Sequence, residues 1–231
     1  MNITNGNIRY ETAADGMQLR IGHWPAAAAT RRIVLCHGRT EFLEKYSEVI
    51  SELNDRNFDV WSMDWRGQGL SGRSLGNPQK GHIGTFTSYI DDLAWLIDTI
   101  GSDDPAGTVL MGHSMGGHIV LRALLEGRVT AGSAVLTAPM VDLPMRRLRR
   151  AAITALCRTA KMTGLGGRYV TGLGNYDPAQ VKFGGNPLSH DPTRFGAIHA
   201  AIAATPGVEM GGPTFGWLDA AFRSIGVLHS L

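Results

Sequence analysis

The sequence lacks the features that mark secreted, membrane-spanning and disulfide-rich proteins. It has only two cysteines, Cys36 and Cys157, which cannot form a disulfide framework. No uninterrupted apolar stretch approaches the ~20 residues that span a bilayer. Residues 1–6 carry no basic segment followed by an apolar run, so no signal peptide is expected. We therefore expect a cytoplasmic protein, in which Cys36 is a small buried residue of an apolar run.

The charge balance and the absence of metal-binding motifs argue against a nucleic-acid-binding protein and a metalloprotein. The chain has 22 basic and 20 acidic residues, for a formal net charge of +2, so no nucleic-acid partner is predicted. The motifs H-E-x-x-H and C-x-x-C are absent, and His23, His82 and His118 have no metal-ligand spacing, so no metal site is predicted. A length of 231 residues is enough for one domain with a full hydrophobic core.

Apolar runs alternate with helical patterns through the first 140 residues. Four runs predict strands covered on both faces: 32–38, 58–63, 108–111 and 133–139. A hairpin is predicted over residues 8–24 around the turn pair Asp15-Gly16. Strands that alternate with helices indicate a parallel sheet with right-handed crossovers and helices on both faces. The predicted fold class is therefore α/β.

Helical spacing predicts the remaining elements. Amphipathic helices are expected over 42–56, 88–100, 144–162, 194–204 and 215–228. Thr87 or Ser88 is predicted to cap the second of these, and Asp103-Asp104-Pro105 to end it. The glycine-rich stretch between residues 164 and 185 is not a dinucleotide-binding fingerprint, because no strand precedes it and the spacing is wrong.

The sharpest signal is the segment Gly112-His113-Ser114-Met115-Gly116, between a predicted strand and a predicted helix. G-x-S-x-G in this context is typical of a nucleophile elbow, in which a tight turn exposes the serine hydroxyl. The helix N-terminus favours negative charge developing nearby. Ser114 is therefore the predicted nucleophile. The alternative is a glycine-rich turn with an idle serine.

The predicted strands end close to other motif residues. Gly38, Asp64, Ser114 and Pro139 all fall at carboxyl ends of the predicted parallel strands, so we expect them at one site. A serine nucleophile needs backbone N–H donors for the oxyanion, which in an elbow fold follow the serine and the first parallel strand. These positions are Met115 and Arg39, whose roles need only the backbone.

Four ordered motifs give the sequence a family resemblance. They are His37-Gly38-Arg39-Thr40-Glu41, Asp64–Ser71, Gly112–Gly117 and Thr137–Met140. Together they resemble the lysophospholipase and monoacylglycerol lipase branch of the α/β-hydrolases, also described as serine aminopeptidase-like. The resemblance implies a mostly parallel central sheet with a helical cap, and hydrolysis of carboxylic esters of lipids through an acyl-enzyme, without a cofactor. It also implies supporting roles for His37, Gly38, Gly112, His113 and Gly116.

The resemblance implies three regions and one departure from the family pattern. We expect a hydrolase core over 1–140, a cap or lid over 141–212 and a return helix over 213–231. The family's catalytic acid and histidine follow a seventh and an eighth strand. No segment after 133–139 has the pattern of an apolar strand that ends in Asp or Glu. We therefore expect the last two strands, the acid and the base to be missing. The chain is therefore expected to be inactive or nearly so.

Several residues could substitute for the missing groups. Asp142 is a candidate acid or a structural residue at the start of the cap, and the candidate bases are His190, His199 and His229. His37 and His113 are expected to shape loops, and Asp64 and Arg66 to fix the loop after their strand rather than to catalyse.

A basic segment opens the predicted cap. Its arginines are Arg146, Arg147, Arg149 and Arg150. They could contact anionic lipid head groups or a membrane surface, or form a solvated helix face.

Other functions remain open. A non-catalytic module derived from a hydrolase could bind a ligand beneath the cap, although it would not need Ser114. Epoxide hydrolases and dehalogenases of this fold use an aspartate at the elbow, which Ser114 disfavours. A peptidase or haloperoxidase-like activity is a further alternative, because the fold does not determine the substrate.

Overall fold

The computed structural model describes residues 6–101, 105–186 and 189–231. Their strands form one six-stranded sheet in the order β1-β2-β4-β3-β5-β6. The strands are β1 (Asn7–Thr12), β2 (Gln18–Trp24), β3 (Arg31–Cys36), β4 (Phe58–Met63), β5 (Thr108–His113) and β6 (Ser133–Thr137). β1 and β2 form the predicted antiparallel hairpin, and β2 joins β4 antiparallel. The pairs β4–β3, β3–β5 and β5–β6 are parallel, as predicted.

Six α-helices follow the order predicted from the sequence. They are α1 (Ser47–Asn54), α2 (Thr87–Thr99), α3 (Met115–Leu125), α4 (Arg147–Met162), α5 (Pro192–Ala204) and α6 (Phe215–Leu228). Short 3-10 turns cover Leu43–Tyr46, Pro105–Gly107 and Pro178–Gln180. Asp103 and Asp104, predicted to end the second helix, lie outside the described residues; α2 ends at Thr99.

The prediction of one helix over 42–56 is wrong. Phe42 has extended backbone angles, so helical structure begins only at Leu43. The Leu43 N–H donates to Asp64 Oδ1 at 3.0 Å, and the first turn is a 3-10 turn that precedes α1. At the other end, Asn54 Nδ2 donates to the carbonyls of Trp24 and Phe58, both at 2.9 Å. Contacts to loops and strands therefore divide and shorten the predicted helix.

The predicted cap of α2 is also wrong. The helix begins at Thr87, and neither Thr87 nor Ser88 caps it with a side chain. The Oγ1 of Thr85 instead accepts a hydrogen bond from the Thr87 N–H at 3.3 Å. The hydroxyl that meets the helix start therefore belongs to a threonine two residues earlier.

Helices cover both faces of the sheet, as predicted. On one face, buried side chains of α2, α3 and α6, such as Leu93, Ile119 and Ala220, pack with sheet residues that include Leu110. On the other face, Ile50 of α1 packs with a smaller cluster around Leu35 and Val60. Burial of these apolar faces stabilises the sheet against the helices.

The strand β6 is an edge strand in the described part of the chain. It pairs with β5 on one side, and no described strand pairs with its other side. Val135 is 44% exposed, whereas Val34 of the inner strand β3 is 0% exposed. An apolar edge strand with unpaired backbone groups is open to pairing with another strand.

The segment between β6 and α6 contributes helices but no strand to the sheet. Cys157 and Ala160 of α4 pack against Phe215 of α6. Ala201 of α5 packs with Val208 and with Phe42, which follows the loop after β3. α5 is therefore attached to the loop at the carboxyl end of β3, whereas α4 is attached to α6.

Candidate active site

The turn between β5 and α3 holds Ser114 in a strained conformation. Ser114 has φ 51° and ψ −114°, which a residue with a Cβ rarely adopts. Its N–H donates to the Thr137 carbonyl at 3.0 Å, and its carbonyl accepts from the N–H groups of Met140 at 2.9 Å and His118 at 3.0 Å. Hydrogen bonds to the end of β6 and to α3 therefore maintain the sharp turn that the G-x-S-x-G pattern predicts.

The elbow glycines occupy places where a side chain would collide with backbone. A Cβ on Gly116 would lie 2.1 Å from the Cys36 carbonyl oxygen, and one on Gly112 would lie 2.7 Å from the Gly117 Cα. These contacts bring α3 against the end of β3 and against its own preceding strand. The motif's glycines are therefore required by close backbone packing.

The loop after β3 lies directly against the elbow. A Cβ on Gly38 would be 3.2 Å from the Ser114 Cβ. Ser114 is partly exposed, and no side chain in the described ranges hydrogen-bonds to its Oγ. The N–H groups of Arg39 and Met115 likewise donate to no described acceptor. Two unpaired N–H groups next to an unpaired hydroxyl are what an oxyanion hole requires.

Neighbouring residues fix the position of the Arg39 N–H. Gly38 N donates to Glu41 Oε2 at 2.5 Å, and Thr40 N donates to Gln68 Oε1 at 2.8 Å. Burial opposes ionisation of Glu41, but Lys45 and the Tyr46 hydroxyl, which donates at 2.6 Å, lower its pKa below the ordinary value. The residues on both sides of Arg39 are thus held by side-chain acceptors.

Buried charges fix the loop after β4. Asp64 Oδ2 accepts from the Leu70 N–H at 2.8 Å and from Arg20 Nη1 at 3.1 Å. Arg66 forms a two-pronged ion pair with Asp92, at 2.7 Å and 2.5 Å. Burial raises the pKa of both carboxyl groups, and the arginines oppose this effect. These contacts agree with the interpretation of Asp64 and Arg66 as loop-fixing residues.

His37 and His113 contact the loops around the elbow. His37 Nδ1 lies 2.8 Å from the Gly38 carbonyl, and its buried Nε2 lies 3.8 Å from Asp64 Oδ1. His113 Nδ1 lies 3.1 Å from Thr137 Oγ1. Neither ring contacts Ser114 Oγ, so both agree with a loop-shaping role.

The candidate substitutes for the acid and the base lie elsewhere. Asp142 is exposed, accepts from the Leu143 N–H at 2.8 Å and pairs with Arg150; the Arg150 contact lowers its pKa. The ring of His229 donates from Nε2 to the Val141 carbonyl at 3.0 Å.

His190 and His199 also make no hydrogen bond to Ser114 among the described residues. The ring of His199 lies 3.1 Å from the Tyr176 hydroxyl, and His190 is exposed. In the ranges that the structure describes, none of the four candidates hydrogen-bonds to Ser114.

Sequence reasoning missed the side chain of Arg39. It considered only the backbone of this residue, but the guanidinium donates to the Gly211 carbonyl at 3.1 Å and lies 4.9 Å from the Trp217 ring centroid. Burial lowers the pKa of Arg39 to about 10. No local pattern could reveal these contacts, because α6 lies far along the chain.

A cavity of about 410 Å³ lies between the sheet, α1 and α5. Its lining includes the apolar residues Leu35, Val49, Met111 and Ile198, together with His113. Ser114 is not part of this lining. The cavity therefore offers apolar space beside the elbow and under α5.

The arginines that open α4 lie at the surface. Arg146, Arg147 and Arg149 are exposed, whereas Arg150 is partly buried by its pair with Asp142. Leu148 is 87% exposed and Met162 is 81% exposed, so apolar side chains accompany the charges. No helix among the described residues has both the length and the apolar character to cross a membrane.

Known proteins share this sequence and arrangement. A family model described as serine aminopeptidase, S33, matches residues 27–216. Lysophospholipase L2 of Escherichia coli is 32% identical over 208 residues, which cover 90% of this chain and 61% of that protein. The probable lysophospholipase L2 of Haemophilus influenzae is 32% identical over 203 residues, which cover 87% of this chain and 63% of that protein. The chain thus spans less than two thirds of these relatives.

Solved structures share the fold at lower identity. A soluble variant of monoglyceride lipase from Saccharomyces cerevisiae, in complex with a substrate analogue, superimposes with a TM-score of 0.71 at 18% identity. The superposition covers 98% of this chain and 70% of that one. Fold and elbow together define an α/β-hydrolase. Within that fold, the chain belongs to the serine aminopeptidase S33 family, which confirms the predicted resemblance.

Proposed function

We propose that the chain carries the nucleophilic part of a serine hydrolase that acts on carboxylic esters. The observation that carries this proposal is the strained Ser114, which has a free hydroxyl, precedes the unpaired Met115 N–H and lies against the loop that carries the unpaired Arg39 N–H. The names of the relatives support the ester class. Fold likeness alone would not distinguish this function from others of the same architecture.

The proposed reaction uses these groups in order. Ser114 Oγ attacks the ester carbonyl carbon. The resulting oxyanion accepts hydrogen bonds from the Met115 N–H at the start of α3 and from the Arg39 N–H in the loop after β3. Collapse of this intermediate releases the alcohol and leaves an acyl-enzyme, which water hydrolyses. The attack also requires a base to accept the Ser114 proton. No described side chain is placed to do so, and we propose that the chain by itself turns over esters poorly.

The proposed substrate is a lysophospholipid or a monoacylglycerol. Both are single-chain glycerolipid esters, and the relatives named as lysophospholipases support this class. We propose that residues 1–140 form the catalytic core, that 141–212 cover the site as a cap, and that 213–231 return towards the core. The packing of α5 against Phe42, which follows the loop after β3, supports this division.

We also propose that α4 contacts anionic lipid surfaces. The exposed Arg146, Arg147 and Arg149 supply positive charge, and Leu148 and Met162 supply apolar contact. Basic residues next to exposed apolar side chains favour binding at a lipid interface. A peripheral location on a membrane would bring the cap to its lipid substrate.

A non-catalytic ligand-binding module is the second candidate. The absence of a base next to Ser114 in the described ranges favours it, and the apolar cavity under α5 offers a binding volume. Retention of the strained serine favours the hydrolase, because a binding module has no need of that conformation.

Covalent labelling separates the two candidates. A fluorophosphonate probe is incubated with the wild type, with Ser114→Ala and with Ser51→Ala, which serves as an exposed-serine control. Each reaction is run with and without added imidazole, and adducts are located by mass spectrometry. We expect an adduct on Ser114 that forms slowly and is accelerated by imidazole, and Ser51→Ala should match the wild type. Binding of a monoacylglycerol without any adduct on Ser114 would support the binding module instead.

A further inference from the structure

The guanidinium of Arg39 has no carboxylate partner in the described part of the chain. The other arginines buried near the core are paired. Arg20 pairs with Asp64 and Glu44, Arg66 with Asp92 and Asp15, and Arg122 with Glu126. Arg39 is only partly buried, but even a partly buried cation without a counter-charge is unfavourable unless something compensates for it.

Carbonyl oxygens do not replace the missing carboxylate. Arg73 also lacks an acidic partner, but its three nitrogens donate to five backbone carbonyls. Arg39 donates only to Gly211, through Nη2, and its Nε is buried without any partner. The charge of Arg39 is therefore less satisfied than that of Arg73.

The polar groups beside Arg39 interact with one another. Burial raises the pKa of Tyr89 to about 12, while Arg39 and hydrogen bonding with the Gln68 and Trp217 side chains oppose this increase. Tyr89 and Trp217 therefore need no further acceptor. Buried polar atoms are normally hydrogen-bonded, so the Arg39 guanidinium, with its buried and unpaired Nε, is the group that lacks an acceptor.

The position of Arg39 relates this cluster to the reaction. The Arg39 N–H is a proposed donor to the ester oxyanion, and the same residue extends its guanidinium towards Gly211 and Trp217. In a lysophospholipid, the acyl ester and the phosphate are attached to the same glycerol, a few bonds apart. One residue could therefore bind both ends of that glycerol, with its backbone at the ester and its side chain at the phosphate.

We propose that the Arg39 side chain binds the phosphate of a lysophospholipid substrate and selects it over uncharged acylglycerols. This proposal rests on the proposed ester-hydrolase function. The guanidinium presents planar donors that suit phosphate oxygens, and charge-assisted hydrogen bonds are stronger than neutral ones. The partial exposure of Arg39 leaves it accessible to a ligand. Uncharged monoacylglycerols would leave the guanidinium without a counter-charge.

A purely structural role for Arg39 makes a different prediction. Its stacking on Trp217 and its bond to Gly211 could simply hold the segment before α6 against the loop after β3. Loss of that contact would weaken all ligands by a similar factor. Selective loss of phosphate-bearing ligands would not follow.

Equilibrium binding distinguishes these roles. In the Ser114→Ala variant of the 231-residue chain, affinities for lysophosphatidic acid and for a monoacylglycerol of the same acyl chain are measured by calorimetry below their aggregation concentrations. Arg39→Met should weaken lysophosphatidic acid relative to monoacylglycerol by about tenfold or more. Arg39→Lys should retain part of the preference, and the exposed-arginine control Arg56→Met should retain all of it. Equal weakening of both lipids by Arg39→Met would overturn the proposal.

Two further measurements test whether the phosphate must belong to a lipid and whether the variants are folded. Inorganic phosphate and glycerol 3-phosphate should compete only weakly, and competition as strong as that of lysophosphatidic acid would overturn the lipid assignment. Melting temperatures show whether Arg39→Met is folded; if it is not, the preference retained by Arg39→Lys decides the question. Fluorophosphonate labelling of Ser114 tests the hydrolase function separately, so a labelled chain without phosphate preference refutes only the role of Arg39.

Discussion

Gly38 and Ser114 are so close that a Cβ on Gly38 would lie 3.2 Å from the Ser114 Cβ and 2.8 Å from Glu41 Oε2. The loop after β3 can approach the elbow only because residue 38 has no side chain. This contact places the loop that carries Arg39 against the serine, and it connects the first parallel strand to the reaction proposed here.

Substitution Gly38→Ala should therefore reduce the reactivity of Ser114. The added methyl group would displace the loop and the Arg39 N–H, and loss of an oxyanion donor slows serine hydrolases by about 100-fold or more. We expect fluorophosphonate labelling of Ser114 to slow by at least about tenfold. Gly76→Ala, where a Cβ meets nothing within 4 Å, is the matched control and should label like the wild type. Unchanged labelling of Gly38→Ala would exclude this loop from the site.

Substitution Gly116→Ala should destabilise the fold itself. Its Cβ would lie 2.1 Å from the Cys36 carbonyl oxygen, and neither backbone segment can move without disturbing the sheet. We expect the free energy of unfolding to fall by about 2 kcal/mol or more in urea titrations. The control Gly226→Ala, within α6 and without close neighbours, should be neutral or stabilising by up to about 1 kcal/mol. Equal effects of the two substitutions would contradict the packing described for the elbow.

The buried His118 should make stability depend on pH. Its Nε2 lies 2.6 Å from Ser224 Oγ, and burial, with Arg122 nearby, lowers its pKa to about 4 from an ordinary 6.5. Between these values the unfolded chain binds more protons than the folded chain. This contribution to stability is therefore present above pH 6.5 and is lost as the pH falls towards 4, by about 2–3 kcal/mol.

Urea titrations of His118→Gln provide the comparison. The variant removes the titrating group, so its stability should fall less steeply than that of the wild type between pH 6.5 and 4. Parallel pH profiles for the two proteins would show that His118 keeps an ordinary pKa in the folded state.

The exposed arginines of α4 should control binding to anionic vesicles. Neutralising Arg146, Arg147 and Arg149 to glutamine removes three charges, each worth about 1 kcal/mol near an anionic surface. Sedimentation with phosphatidylglycerol vesicles at low salt should show about 100-fold weaker binding, with little change on neutral vesicles. The matched control neutralises three exposed arginines outside the cap: Arg31, Arg56 and Arg128. If the control loses as much binding, the cap helix has no special role at the membrane.

The parallel strands and the elbow could be predicted from the sequence because local patterns of residues determine them. Continuous apolar runs reveal buried strands, and the glycines around Ser114 are required by contacts within the motif and with β3. The 3-10 turn before α1 was missed because its first N–H, that of Leu43, donates to Asp64, which lies in a different loop. The contacts of the Arg39 side chain were missed because its partner Gly211 is 172 residues away. Such contacts follow from packing and not from any local pattern.

Chemical rescue by imidazole tests most directly whether Ser114 is a nucleophile without its base. Hydrolysis of a nitrophenyl butyrate is followed at increasing imidazole concentration, and the rate with Ser114→Ala is subtracted from that of the wild type. We predict a difference that is small without imidazole and rises as imidazole acts as the base. A large difference without imidazole would show that the chain contains its own base. No difference at any concentration would contradict the nucleophilic role of Ser114.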